Sequence, residues 1–169
     1  MVSPFRGIEP EITNTKHSAR RATLAVARRG GIVRPEPDQL VDVPLFASLS
    51  PEQLRAVATL SELRHAEPGT ILVGEGAPGY ALFVLQAGTA SVTRADAELQ
   101  TLGPGDFFGE IALLAEGVRT ATVTATSPVT LVVMHGSDFR VFERDWPDAS
   151  ELMKATMRAR LEGLRGESG

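Results

Sequence analysis

The chain of 169 residues contains no cysteine, which excludes disulfides, thiolate metal sites and a cysteine nucleophile together. It has only 3 histidines, His17, His65 and His135, far apart in sequence. A histidine-built metal centre would need all of them or carboxylate help. Aromatic residues make up 5% of the chain, too few for a function that relies on stacking platforms for bases. No apolar run approaches the roughly eighteen residues of a membrane span. Glu9 and Glu11 suit neither a secretory signal nor a transit peptide, so the chain reads as cytoplasmic. Lysine occurs only at Lys16 and Lys154. The remaining basic residues are arginines, which points to a GC-rich bacterial genome rather than to any chemistry.

What is present is unevenly charged. Residues 1–40 hold seven Lys/Arg against four Asp/Glu, a net +3, and the rest hold ten against seventeen, a net −7. An acidic body is a poor partner for phosphate backbones and so a poor candidate for unspecific nucleic-acid binding. Residues 1–43 read as a basic, partly ordered arm, with a short helix over 17–29 stopped by Gly30 and Gly31 and followed by Pro35 and Pro37. A domain over 44–169 follows.

Within that domain, 44–65 reads as a helical part. Ser50 caps a helix, Pro51 suits its first position, and Gln53 completes a capping box. Leu54, Val57, Ala58 and Leu60 form its apolar face. From Pro68 short β runs alternate with Gly and Pro: 70–73, 81–85, 89–93, 99–102, 121–126 and 129–134. Turn signals recur every eight to twelve residues or so, the spacing of a sandwich or barrel. A short helix over about 111–115 interrupts them. Residues 136–165 read as helical again, with a helix over 137–143, a break at Trp146-Pro147, and a second capping box from Asp148 and Glu151. Leu152, Met157, Leu161 and Leu164 give the last helix an imperfect apolar stripe. The fold class is α+β with an eight-stranded antiparallel β-roll, or jelly roll, over 66–135.

The segment FGEIALLAEGVRTATVTA, residues 108–125, carries the chemistry. Gly109 lets the backbone approach a ligand. The helix opening near Glu110 leaves the amides of Ile111 and Ala112 without intrahelical partners. Arg119 offers a bidentate fork to the same anion. Glu110 repels a phosphate and, being an acceptor only, suits a sugar hydroxyl. A phosphate and a hydroxyl on one compact ligand describe a nucleotide.

This segment closely resembles the phosphate-binding cassette of cyclic nucleotide-binding domains, and ILVGEG, ALFVLQAGTASV and LGPGDFFGE resemble that family's flanking strands in order and spacing. The resemblance covers about 44–165. It implies a cassette over 108–121, with Arg119 on the cyclic phosphate and Glu110 on the ribose 2′-hydroxyl. Gly109, Ile111 and Ala112 match backbone donors, Thr120 and Ala121 match residues closing over the phosphate, and Leu113 matches the position that packs on the moving C-terminal helices. Leu152, Met153, Met157 and Arg160 match the helix that lids the base. Val118 stands before the arginine, where many members have Pro. Tyr80 follows Gly79, where many have Asp, a departure expected to change a turn and leave the pocket untouched.

The resemblance implies a non-enzymatic sensor that takes cAMP in preference to cGMP and uses no cofactor or metal. A hydroxyl such as that of Thr120 often accompanies cGMP binding in the family, yet many cAMP-responsive members carry it. Ligand binding would move the C-terminal helices and signal to a protein effector, with homodimerisation through the last helix as one form of output. Ending at Gly169, the chain leaves no room for a DNA-binding module after that helix. A detached channel-gating module and a non-binding relic of the fold are the alternatives. The arm's Arg28-Arg29-Gly30-Gly31-Ile32 resembles the inhibitory segment of cAMP-dependent kinase regulatory subunits, five residues that chance also supplies. His65 and His135 read as surface or strand-end residues, Asp106 as part of the GPGD turn, and Met153 and Met157 as core fillers.

Overall fold

The computed structural model describes residues 31–114 and 118–166. The expected arm helix over 17–29, the end of the cassette helix at residue 115 and the last three residues lie outside these.

Two four-stranded antiparallel sheets form the roll. The strands are β1 (Glu62–Ala66), β2 (Ile71–Val73), β3 (Ala81–Ala87), β4 (Ala90–Arg94), β5 (Ala97–Leu102), β6 (Phe107–Phe108), β7 (Thr122–Ala125) and β8 (Val129–His135). One sheet has the order β1-β8-β3-β6 and the other β2-β7-β4-β5. The helices are α1 (Pro51–Thr59), α2 (Ile111–Leu114), α3 (Gly136–Asp145) and α4 (Pro147–Gly166).

The sheets differ in how they are covered, and the sequence shows why. Leu82, Val84, Val132 and Met134 of the β1-β8-β3-β6 sheet pack with the helices, while Phe83, Leu85, Leu131 and Val133 pack on the other sheet. Both faces are buried, so β3 and β8 read as unbroken apolar runs. The second sheet buries one face only, and β7 alternates half-buried and buried residues. The result is three layers: sheet, sheet, helices.

The capping box at Ser50 forms as expected: its Oγ accepts from the Gln53 amide at 3.2 Å, and its own amide donates to Gln53 Oε1 at 2.9 Å. The Asp106 carboxylate accepts from the Gly103 amide at 2.8 Å, which holds the GPGD turn.

Four expectations need correction. The first strand begins at Glu62, inside the stretch read as helical; its ELRHA pattern is polar because β1 is an edge strand with half-buried residues. The two-residue β6 lies outside the β runs read from the residues, although LGPGDFFGE, which contains it, resembles a flanking strand. Residues 31–43 are not simply a linker: Val33 O accepts from the Leu63 amide at 2.7 Å, and Leu40 and Val43 are core residues. Finally, α4 begins at Pro147, which prefers the first helical position, so Asp148 sits in the first turn instead of capping it. Its buried face is Ala149, Met153 and Met157, spaced four apart, whereas Leu152 is 51% exposed. Met153 and Met157 are indeed core fillers.

Candidate functional site

Phe107 and Phe108 are neighbours on β6, and alternation sends their rings to opposite faces of the sheet. Phe107 joins the core beneath the helices, and Phe108 joins the core between the sheets. Phe108 stacks on Phe83, with ring centroids 5.0 Å apart and 5° between planes. The Arg119 guanidinium lies 5.6 Å from the Phe83 ring centroid, and that of Arg160 lies 4.6 Å from the Phe107 centroid. The two aromatic rings thus support two cations, one from the cassette and one from α4.

Arg119 is 8% exposed and Glu110 is 5% exposed. Arg119 donates from Nη1 to Gly109 O at 2.9 Å and from Nη2 to Ala81 O at 3.1 Å. Its main chain is held on both sides: its amide donates to Ala77 O at 2.9 Å, and its carbonyl accepts from the Gly76 amide at 2.8 Å. Pro78 and Val118 form an isolated antiparallel bridge beside it.

Two glycines make room for the guanidinium. Gly109 has φ +82°, and a Cβ there would lie 2.5 Å from Ala81 O and 2.6 Å from Arg119 Nη1. A Cβ on Gly79 would lie 2.4 Å from Arg119 Nε. Sequence reasoning selected Gly109 and missed Gly79. Its signal was the glycine-rich GEGAPG run itself, since a second glycine in a loop facing the cassette marks another close approach. The Tyr80 ring is exposed, and its carbonyl accepts from the Gly136 amide.

Burial raises the Glu110 carboxyl above its ordinary pKa, and Arg160, its own amide and Arg119 offset part of that shift. Burial lowers Arg119, against the attraction of Glu110, but a guanidinium stays charged at any working pH. Among the described residues the two form no ion pair with each other; the cation nearest Glu110 is Arg160, 3.9 Å from Nη1 to Oε1. The two buried opposite charges attract one another without forming a direct ion pair: Glu110 has Arg160 at 3.9 Å, and Arg119 has two backbone carbonyls. Burying such charges is costly unless something pairs with them.

The remaining expected site residues are distributed as follows. Ile111, Ala112 and Leu113 lie on α2, directly after Glu110, whose carbonyl accepts from the Leu113 and Leu114 amides. Leu113 lies at the foot of α3, where a Cβ on Gly136 would come 3.6 Å from its Cδ2. Thr120 is exposed, and Ala121 packs against the inter-sheet core. Of the four lid candidates, only Arg160 reaches Glu110. Met153 and Met157 are in the core, and Leu152 faces solvent.

As expected, His65 is exposed on β1 and His135 ends β8. His65 Nδ1 lies 3.1 Å from Thr130 Oγ1. His135 Nε2 lies 3.0 Å from Glu62 Oε1, which also accepts from Arg64. Against burial, which alone would raise it, these hydrogen bonds hold the Glu62 carboxyl below its ordinary value. Among the described residues no group of three or more His, Asp or Glu is arranged to hold a metal ion. An open cleft of about 970 Å³ lies elsewhere, bordered by Arg34, Glu62, Arg64, Tyr80 and His135. Neither Glu110 nor Arg119 lines it; of its charged groups, Glu62 engages Arg64 and His135, and Arg34 donates to the Ser61 carbonyl. No helix among the described residues is long and apolar enough to cross a membrane.

The model of the cyclic nucleotide-binding domain family matches residues 63–144. The chain is 37% identical over 129 residues to a cyclic nucleotide-gated potassium channel of Mesorhizobium japonicum, a match covering 76% of this chain and 36% of the channel. It is 33% identical over 101 residues to a cAMP-dependent protein kinase regulatory subunit of Hypocrea atroviridis, covering 60% of this chain and 22% of the subunit. Both matches span well under half of the relative. Among solved structures, the catabolite activator protein of Thermus thermophilus superposes with a TM-score of 0.67 at 29% identity, covering 73% of this chain and 61% of that one. With the two-sheet roll, the cassette between β6 and β7 and the flanking helices all in place, the chain belongs to the cyclic nucleotide-binding domain family.

Proposed function

We propose that the chain is a cyclic nucleotide sensor, a binding module rather than a catalyst, that takes cAMP in preference to cGMP. The observation that carries this is the pair of buried, mutually unpaired charges, Glu110 and Arg119, at 5% and 8% exposure. A cyclic phosphate on Arg119 and a ribose hydroxyl on Glu110 satisfy both at once. Gly109, Ile111 and Ala112 supply backbone donors beside them, and Thr120 and Ala121 close the phosphate end. The hydrogen bonds from Arg119 to Gly109 O and Ala81 O use two of its nitrogens and orient the rest of the fork. The relatives include a cAMP-dependent kinase regulatory subunit and, at the same identity of 33%, a cGMP-dependent kinase of Drosophila melanogaster, so the titration decides between the two nucleotides.

The relay runs through Leu113 and Arg160. Leu113 abuts the start of α3, and α3 is tied to α4 by the Lys154–Glu143 ion pair. Ligand on Glu110 changes the partner of Arg160, and cassette movement shifts Leu113, so the populations of α3 and α4 positions shift together. The output is a protein effector met by these helices, with pairing of two chains through α4 as one form. The similarity to a potassium channel favours a second reading, in which the same movement gates a membrane pore. Titration with cAMP and cGMP tests the ligand. Hydrogen exchange of α4 with and without nucleotide tests the relay, which predicts changed protection in that helix and is refuted by none.

A further inference from the structure

A second set of residues, outside those assigned to the nucleotide, is hydrogen-bonded to the segment that runs from Arg119 to Thr122. Arg94, the last residue of β4, donates from Nε to the carbonyl of Thr120 at 3.0 Å. It leads into a turn in which Ala95 and Asp96 both have positive φ, +48° and +64°. Left-handed backbone is costly for an alanine. The Ala95 amide is held there by Glu75 Oε2 at 2.9 Å, and the Glu75 amide donates to Thr122 Oγ1 at 2.9 Å. Glu75 stands beside Gly76, whose amide holds the Arg119 carbonyl. One closed circuit therefore joins the β2–β3 loop, the β4–β5 turn and residues 119–122.

Nothing in packing explains this circuit. Arg94 and Ala95 are exposed and Glu75 is exposed, so the groups bury little apolar surface. Arg94 instead holds the Thr120 carbonyl directly after Arg119, while Glu75 fixes the turn that follows Arg94 and stands next to Gly76, whose amide holds the Arg119 carbonyl. A guanidinium must be held within a fraction of an ångström to grip a phosphate with both prongs, and its own main chain is the lever. We propose that Arg94 and Glu75 are positioning residues for Arg119, setting how tightly it holds an anion. This rests on the reading of Arg119 as the phosphate ligand.

The test compares Arg94→Ala, Arg94→Gln and Glu75→Ala with the wild-type chain. Glutamine places its amide nitrogen as many bonds from the backbone as arginine Nε, so Arg94→Gln keeps the donor to Thr120 and removes the charge. In cAMP titrations, Arg94→Ala and Glu75→Ala are expected to bind about fivefold to tenfold more weakly, the scale of one lost hydrogen bond. Arg94→Gln is expected to bind like wild type, and all four proteins to unfold at nearly the same temperature. In nucleotide-free protein, the Gly76 and Arg119 amides should exchange faster in the two alanine variants while β8 amides are unchanged. Wild-type affinity in both alanine variants overturns the proposal, as does a loss in Arg94→Gln equal to that in Arg94→Ala, or an unfolding temperature that falls with affinity. Absence of cAMP binding by the wild type overturns the phosphate reading instead, and unchanged exchange at Gly76 and Arg119 then overturns the brace on its own terms.

Discussion

Arg160, three turns into α4, holds its Nη1 3.9 Å from Glu110 Oε1 while its guanidinium covers the Phe107 ring at 4.6 Å. That nitrogen is buried and makes no hydrogen bond among the described residues. The last helix thus has a cation at the carboxylate assigned to the ribose, at a distance that a modest shift converts into direct contact. Replacing Arg160 by Ala removes an attraction that lowers the Glu110 pKa. The expected result is a further upward shift of the Glu110 titration by NMR and faster exchange of amides around residue 160. An unchanged Glu110 titration would show that Arg160 does not couple the helix to the cassette.

The acid dependence of binding should follow Glu110. Its carboxyl is raised, chiefly by burial, so the protonated form is favoured in the fold. A raised carboxyl contributes stability that is full below the unfolded value and is lost as pH rises through the folded one. Between neutrality and the ordinary carboxylate range, nucleotide-free wild type should therefore gain stability on acidification relative to Glu110→Gln. Glu62 is shifted the opposite way and loses its contribution on acidification, but it is common to both proteins and cancels in the difference. The ribose hydroxyl needs the ionised acceptor, so cAMP affinity of wild type should fall over the same window. Affinity of Glu110→Gln should be weaker and nearly flat. Equal pH profiles for the two proteins would remove Glu110 from the site.

Two glycine substitutions should separate binding from folding. Gly79 does not have a positive φ, so Gly79→Ala strains no backbone; the three atoms nearest its methyl all belong to the Arg119 side chain. We expect a clear loss of cAMP affinity with little change in unfolding temperature. Gly109→Ala meets the carbonyl of Ala81 at positive φ and should also cost about 1–3 kcal/mol of stability. Thermal unfolding beside nucleotide titration distinguishes them, and a Gly79→Ala chain with full affinity would contradict the placement of Arg119.

The Ser50 capping box offers a check on the fold alone. Ser50→Ala removes the acceptor for the Gln53 amide and should destabilise the domain by about 1 kcal/mol. Chemical denaturation measures this, and cAMP affinity should not change, because α1 carries no residue of the site.

Much of this was legible in the sequence where local chemistry decides the structure. Ser50, Gln53 and Asp106 make the caps and turns that their types and spacing demand. The apolar runs 81–85 and 129–134 read as strands and are β3 and β8. Glu110, Gly109 and Arg119 were singled out because an acceptor, a glycine and a guanidinium suit a nucleotide, and the resemblance of the flanking strands set that reading above a plain surface ion pair. β1 was missed because an edge strand of half-buried residues, ELRHA, has no apolar alternation to read. The register of α4 was misplaced because Leu152 looked like a core residue, whereas Ala149, Met153 and Met157 fill the core. Gly79, Arg94 and Glu75 act through contacts between segments up to about forty residues apart, which no local pattern encodes.

The most direct test of the account is calorimetric titration of the purified chain with cAMP and with cGMP, with Arg119→Ala beside it. The account predicts micromolar or tighter binding of cAMP, weaker binding of cGMP, and a loss of about 2–4 kcal/mol in the variant, the scale for removing one partner of a buried charge pair. Folded wild-type protein that binds neither nucleotide, or an Arg119→Ala chain that binds as tightly as wild type, would contradict it.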